Sequence, residues 1–130
     1  MSHTVKIKTQ FKDLSMFKKA LKALGWDVKE NTKIRTYHSD PNRDELYKYV
    51  AVNPKANGFD VGVKVKPDGE MELFADFYDG SIASTLGADL TKLRQQYATE
   101  VTIDELTFNG YVCNTSTDTK GNVIIEAEKA

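Results

Sequence analysis

Residues 59–77 read Phe-Asp-Val-Gly-Val-Lys-Val-Lys-Pro-Asp-Gly-Glu-Met-Glu-Leu-Phe-Ala-Asp-Phe. Phe59, Val61, Val63 and Val65 alternate with smaller or polar residues, and Met71, Leu73, Ala75 and Phe77 repeat that alternation. A period of two puts each set on one face of a half-buried strand. Lys66-Pro67-Asp68-Gly69 between them is turn chemistry: proline presets φ, and glycine takes the left-handed position. Two alternating strands across a short turn form a hairpin, and a hairpin implies an antiparallel sheet.

The flanking sequence supplies what covers such a sheet. Upstream, Val5, Ile7, Thr9 and Phe11 alternate with Lys6, Lys8 and Gln10, another strand. Asp13 then offers a helix N-cap, and Leu14, Phe17, Leu21 and Leu24 lie at helical spacing on one stripe. Gly25 sits where a left-handed residue ends a helix, with Trp26 folding back on the last turn. Lys12, Lys18, Lys19 and Lys22 fall off the stripe, on a solvated face. Residues 26–30 and 34–37 are expected to be strands across an Asn31-Thr32-Lys33 turn, and residues 46–52 a further one. Residues 78–87, with two glycines, are expected to form a loop. Leu90, Leu93, Tyr97 and Val101 mark a second helix from about Asp89, which the β-branched run 99–103 is expected to break. Asn109-Gly110 ends it, followed by strands over 111–115 and 122–127.

These elements predict one α+β domain over residues 1–130, an antiparallel sheet with two main helices on one face. Helix, Gly-aromatic, strand, turn and strand occur in that order around residues 13–37 and 89–127. Degenerate duplication and convergence on a common βαββ unit both account for this.

Composition narrows the chemistry. A chain of 130 residues holds a core without staples. One cysteine rules out an internal disulfide framework and a thiolate zinc site, and Cys113 is expected as a buried, inert thiol in a strand. No secretory leader is expected, and no apolar run approaches a membrane span, so a cytoplasmic setting is expected. His3 and His38 have no partner at metal-ligand spacing and read as surface residues. Neither a G-x-S-x-G nucleophile turn nor a phosphate-binding glycine loop is present. Asp76 and Asp79 bracket the start of the glycine loop, where paired carboxylates can point into a cleft; an enzyme or ligand pocket there is the least favoured reading. The expectation is a non-enzyme with no cofactor.

Net charge is −1, but residues 1–66 carry 14 Lys/Arg against 7 Asp/Glu, and residues 67–130 carry 4 against 12. Such asymmetry marks complementary or basic surfaces, unless folding interleaves the halves. If Ile34 and Thr36 face inward, Arg35 and Tyr37 share an outer face, joined by His38, Arg43, Tyr47, Lys48 and Tyr49. Arg and Tyr favour a protein-docking patch on a host or self partner. Single-stranded nucleic acid is the alternative, with bases stacked on rings and cations on phosphates.

The chain resembles a known family. Met1-Ser2-His3, Ile7-Lys8-Thr9-Gln10, Lys12-Asp13-Leu14 and Lys18-Lys19-Ala20-Leu21-Lys22 before Leu24-Gly25-Trp26 are similar to the start of the conserved hypothetical chloroplast reading frame thirty-five proteins of plastids, cyanobacteria and some cyanophages. Ile34-Arg35-Thr36-Tyr37, residues 57–62, Leu73 with Ala75-Asp76, and Gln96-Tyr97-Ala98 follow in the order expected of that family. Phe77-Tyr78-Asp79-Gly80 stands where the family has a tryptophan-bearing segment, and the region after Tyr97 is more β-branched. The resemblance implies a cyanobacterial or phage-infected cytosol, no particular reaction, and Arg35, Tyr37, Asp60, Asp76 and Tyr97 as binding-site candidates.

Overall fold

The computed structural model describes residues 4–130; His3 and the opening triplet lie outside them. The expected hairpin is β4 (Val61–Val65) and β5 (Met71–Ala75), with Val63 opposite Leu73 and Val65 opposite Met71. Its turn closes with Gly69 at φ 88°, donating N–H to the Lys66 carbonyl. Around it, β1 (Val5–Lys8) pairs with β5, β3 (Tyr47–Val52) with β4, and β2 (Asp27–Thr32) with β3. The result is a five-stranded antiparallel sheet in the order β1-β5-β4-β3-β2.

One face of this sheet is covered by α1 (Leu14–Ala23) and the first half of α3 (Thr91–Phe108). Asp13 caps α1 by accepting the Met16 N–H at 3.1 Å, which satisfies an otherwise orphaned donor. At the other end Gly25 has φ 86°, and the Trp26 N–H returns to the Leu21 carbonyl. Phe17, Ala20 and Leu21 of α1 pack with Trp26, Val63, Leu73, Leu90 and Leu93 in the main core. The α+β architecture with both main helices on one face is as the periodicities imply.

Three local expectations give way. Residues 34–37 form no strand; β2 pairs with β3, and residues 33–46 cross the second face of the sheet as irregular chain. There Ile34 and Tyr47 pack with Val50, so that face is partly covered by its own loop instead of lying open. A Cβ on Gly62 would come within 2.7 Å of the Tyr47 ring, which is why glycine stands in a strand interior. The two βαββ-like stretches therefore pair differently, since the second one folds as a separate sheet of β6 (Tyr111–Thr117) and β7 (Val123–Lys129). Finally, α3 runs unbroken through residues 99–103. Thr99 and Thr102 donate their hydroxyls to the Gln95 and Ala98 carbonyls, which accommodates them within the helix. The loop at 78–87 also contains one short helix, α2 (Ala83–Leu86).

Candidate functional site

Of the five residues expected to form a binding site, Arg35 and Asp60 are joined directly and Asp76 lies across from Asp60, whereas Tyr37 and Tyr97 fall elsewhere. Arg35 is half-buried, and every N–H of its guanidinium has an acceptor. Nε and Nη2 donate to the Asp60 carboxylate at 3.0 and 2.8 Å, Nη2 also to the Asn53 carbonyl, and Nη1 to the carbonyls of Lys55 and Ala56. Asp60 is only 4% exposed and further accepts the backbone N–H groups of Arg35 and Asn53. Hydrogen bonding to Asp60 raises the Arg35 pKa further above its ordinary value, against the opposing effect of burial. Such a fork organises its own loop. The same loop is tied to the turn after β5, where Asn53 donates to the Ser81 carbonyl and the Phe59 N–H to Ser81 Oγ.

Asp76 is 2% exposed, with one carboxylate oxygen accepting the Tyr78 N–H. Its other oxygen has no partner among the described residues. Continuing the β4–β5 register by two residues sets Asp76 across from Asp60, and continuing β1–β5 by one sets it across from Thr4. Thr4 in turn donates to the buried Asp40. This row of buried polar groups closes one end of the sheet, and among the described residues no group of three or more His, Cys, Asp or Glu is placed to hold a metal ion. Asp79, read from the sequence as a partner of Asp76, instead accepts the Ser81 N–H and hydroxyl in a turn.

Tyr97 lies on the helix-covered side. Its hydroxyl accepts the N–H groups of Lys12 and Asp13, fastening α3 to the start of α1, and its ring sits 4.5 Å from that of Phe11. With Arg94, Ala98 and Val101 it borders a surface concavity of about 780 Å³. Tyr37 is 38% exposed and packs against His38. Of the aromatic and basic residues grouped with it, Tyr47 is buried, Tyr49 packs against the main core under Lys18, and Arg43 donates to the His38 carbonyl. The outer Arg35/Tyr37 docking face inferred from strand alternation is therefore corrected: residues 34–37 are not a strand, and Arg35 serves the fold.

A different surface stands out. The last buried residue along the chain is Thr99; from Glu100 to Ala130 none is buried. Eighteen residues give α3 a length of about 27 Å, against about 15 Å for α1, so α3 outruns the helix it packs on. Its inner stripe shows this directly: Leu93 is fully buried, Tyr97 and Val101 are half-buried, and Phe108, seven residues past Val101 on the same side, is 90% exposed. Ile103 turns the other way and lines a cleft shared with Thr115, Thr117 and Val123 of the hairpin. On the hairpin, Tyr111, Cys113, Val123 and Ile125 are half-buried, so Cys113 is less enclosed than its strand context suggested. The opposite face carries Val112 and Ile124, 58% and 43% exposed, together with Glu126 and Glu128.

The extension is also acidic. Residues 100–130 hold Glu100, Asp104, Glu105, Asp118, Glu126 and Glu128 against Lys120 and Lys129. None of these acids forms an ion pair among the described residues, whereas Glu70 and Glu72 in the body are met by Lys12 and Lys6. Folding interleaves the two halves within the body and leaves the extension uncompensated.

Fold and surfaces together define a small α+β domain with a tightly clamped sheet end and an open helix–hairpin extension. The chain belongs to the family described as "Protein of unknown function (DUF1257)", whose model matches residues 20–125. It is 33% identical over 114 residues to "Uncharacterized protein ycf35" of Cyanophora paradoxa, covering 85% of this chain and 83% of that one. Against the protein of the same description from Guillardia theta it is 35% identical over 100 residues, 75% and 73% of the two chains. The resemblance to the chloroplast reading frame proteins is thereby shown. No solved structure matches the chain at a significant level.

Phe108, Val112 and Ile124 escaped the sequence reading. The signal was there: a helical apolar stripe that continues for seven residues beyond Val101, on a helix longer than the one available to cover it.

Proposed function

We propose that this chain is a non-catalytic protein-binding module of a plastid or of cyanobacterial or cyanophage-infected cytosol, which docks a basic partner protein through the second half of α3 and the β6–β7 hairpin. The observation that carries this reading is Phe108, an aromatic at the end of the stripe that anchors α3, left 90% exposed beside uncompensated acids. Aromatic anchors are where binding energy concentrates, and charges around them steer encounter with an opposite surface. A partner would complete the core that the extension begins.

Phe108→Ser separates binding from folding, because truncating so exposed a side chain changes stability by no more than about 0.5 kcal/mol. Immobilised wild-type protein and the variant are offered a cyanobacterial lysate at low and high salt. The expected result is a basic protein retained by wild type at low salt, released at high salt and lost by Phe108→Ser. Identical captured proteins on both columns would overturn the reading. Single-stranded nucleic acid, the alternative from the sequence, is tested by anisotropy of a labelled oligonucleotide; tight binding with steep salt dependence would restore it.

A further inference from the structure

Among the described residues four strands have an open edge, β1 and β2 of the large sheet and both strands of the hairpin. Open edges invite pairing with another chain, and proteins blunt them with charge or local distortion. β1 carries Lys6 and Lys8. β2 carries Asp27, Lys29 and Glu30, and Asn31 within it has φ 51°. β7 carries Glu126, Glu128 and Lys129. β6 differs: Tyr111-Val112-Cys113-Asn114-Thr115-Ser116-Thr117 holds seven residues with no charge, no proline and no glycine, and it is rich in residues that favour strands.

We infer that β6 is a self-pairing edge, occupied by β6 of a second copy of this chain running antiparallel about a two-fold axis near Asn114. This deepens the proposed function, resting on the reading of the extension as an interaction surface, by naming one occupant of it. Three features of the fold select a second copy. A two-fold axis presents the same strand to itself, and β6 is neutral, so no like charges meet across the axis. The four-stranded sheet so formed, β7-β6-β6-β7, leaves β7 at both outer edges, which is where the charged residues already stand. And an isolated two-stranded ribbon is marginal in water, whereas four strands backed by two helices suffice to bury the half-exposed Cys113 and Tyr111 face. Main-chain hydrogen bonds supply the affinity, as in other strand-addition contacts.

The test is the mass in solution of the full chain by sedimentation equilibrium, from 5 to 200 μM. Wild type is expected to move from 14.6 kDa toward twice that mass with rising concentration. Asn114→Lys places two cations side by side across the axis and should weaken self-association at least tenfold, while its own hairpin is supported because residue 114 faces Glu126 on β7. Mixing Asn114→Lys with Asn114→Asp should restore a dimer of the two variants, which a folding defect would not do. A wild type that stays monomeric at 200 μM, or a lysine variant that dimerises like wild type, overturns the inference. A monomeric wild type that still captures its basic partner through Phe108 would overturn self-pairing alone; a dimeric wild type that retains no basic protein, or retains the same protein after Phe108→Ser, would overturn the partner reading alone.

Discussion

Replacing Arg35 tests whether it is a clamp or a contact residue. Arg35→Ala removes the guanidinium that bridges Asp60 to the carbonyls of Asn53, Lys55 and Ala56, and leaves Asp60, 4% exposed, with only the backbone N–H groups of residue 35 and Asn53. Removing one partner of a buried ion pair costs about 3–5 kcal/mol, chiefly because the stranded charge stays desolvated. The Arg35 side chain is 40% exposed, so water and salt already share in solvating it, and the figure must be discounted. About 2–3 kcal/mol remains, which for a chain of this length lowers the melting temperature by roughly 8–12 °C. Arg35→Lys keeps the charge but cannot reach the carboxylate and three carbonyls together, and should recover less than half of the loss. The assay is urea and thermal unfolding by circular dichroism, with the urea slope unchanged so that the midpoint reports stability. A melting temperature within 2 °C of wild type for Arg35→Ala would refute the clamp and return Arg35 to the list of contact residues.

Tyr47 predicts a pH effect. Burial, with the negative charges of Glu45 and Asp40 adding to it, raises the pKa of its hydroxyl above the ordinary tyrosine value. A raised folded-state pKa contributes stability that is complete below the unfolded value of about 10 and is lost as pH rises toward the folded value. Wild type should therefore lose stability above pH 10 at up to about 1.4 kcal/mol per unit more than Tyr47→Phe, in urea melts from pH 8 to 11; parallel curves would count against the burial. Tyr97→Phe keeps the ring on Phe11 but deletes the acceptor for the Lys12 and Asp13 N–H groups, at a cost of about 0.5–1 kcal/mol. Its melting temperature should fall by roughly 2–4 °C, and an unchanged value would show that water replaces the hydroxyl without loss.

Much of the fold was legible because it rests on local signals. The Lys66–Gly69 turn, the Asp13 cap and Gly25-Trp26 each satisfy their own backbone within a few residues, and neighbours cannot easily overrule them. Residues 34–37 were misread because alternation alone does not say whether a strand has an edge to join; β2 already takes the outer edge of β3, so Ile34 turns under the sheet instead. The break expected at Thr99–Ile103 failed for a related reason, since the threonine hydroxyls return to the helix's own carbonyls. The candidate site fared worse. Arg35 and Asp60 were picked out separately, yet what joins them is a contact across 25 residues that no spacing rule exposes. Tyr97 and Asp76 likewise owe their burial to long-range partners. The extension shows in the sequence as an acidic bias and an apolar stripe running on to Phe108, but recognising that nothing covers Phe108 requires the length of α1 beside that of α3.

Amide hydrogen exchange measured strand by strand, once in dilute and once in concentrated solution, addresses the extension most directly. Strands β3 and β4 should be slow at both concentrations, whereas β6 should exchange far faster than they do when dilute and gain protection when concentrated. A β6 as slow as β4 in dilute solution would mean that the hairpin is already complete within one molecule and awaits nothing.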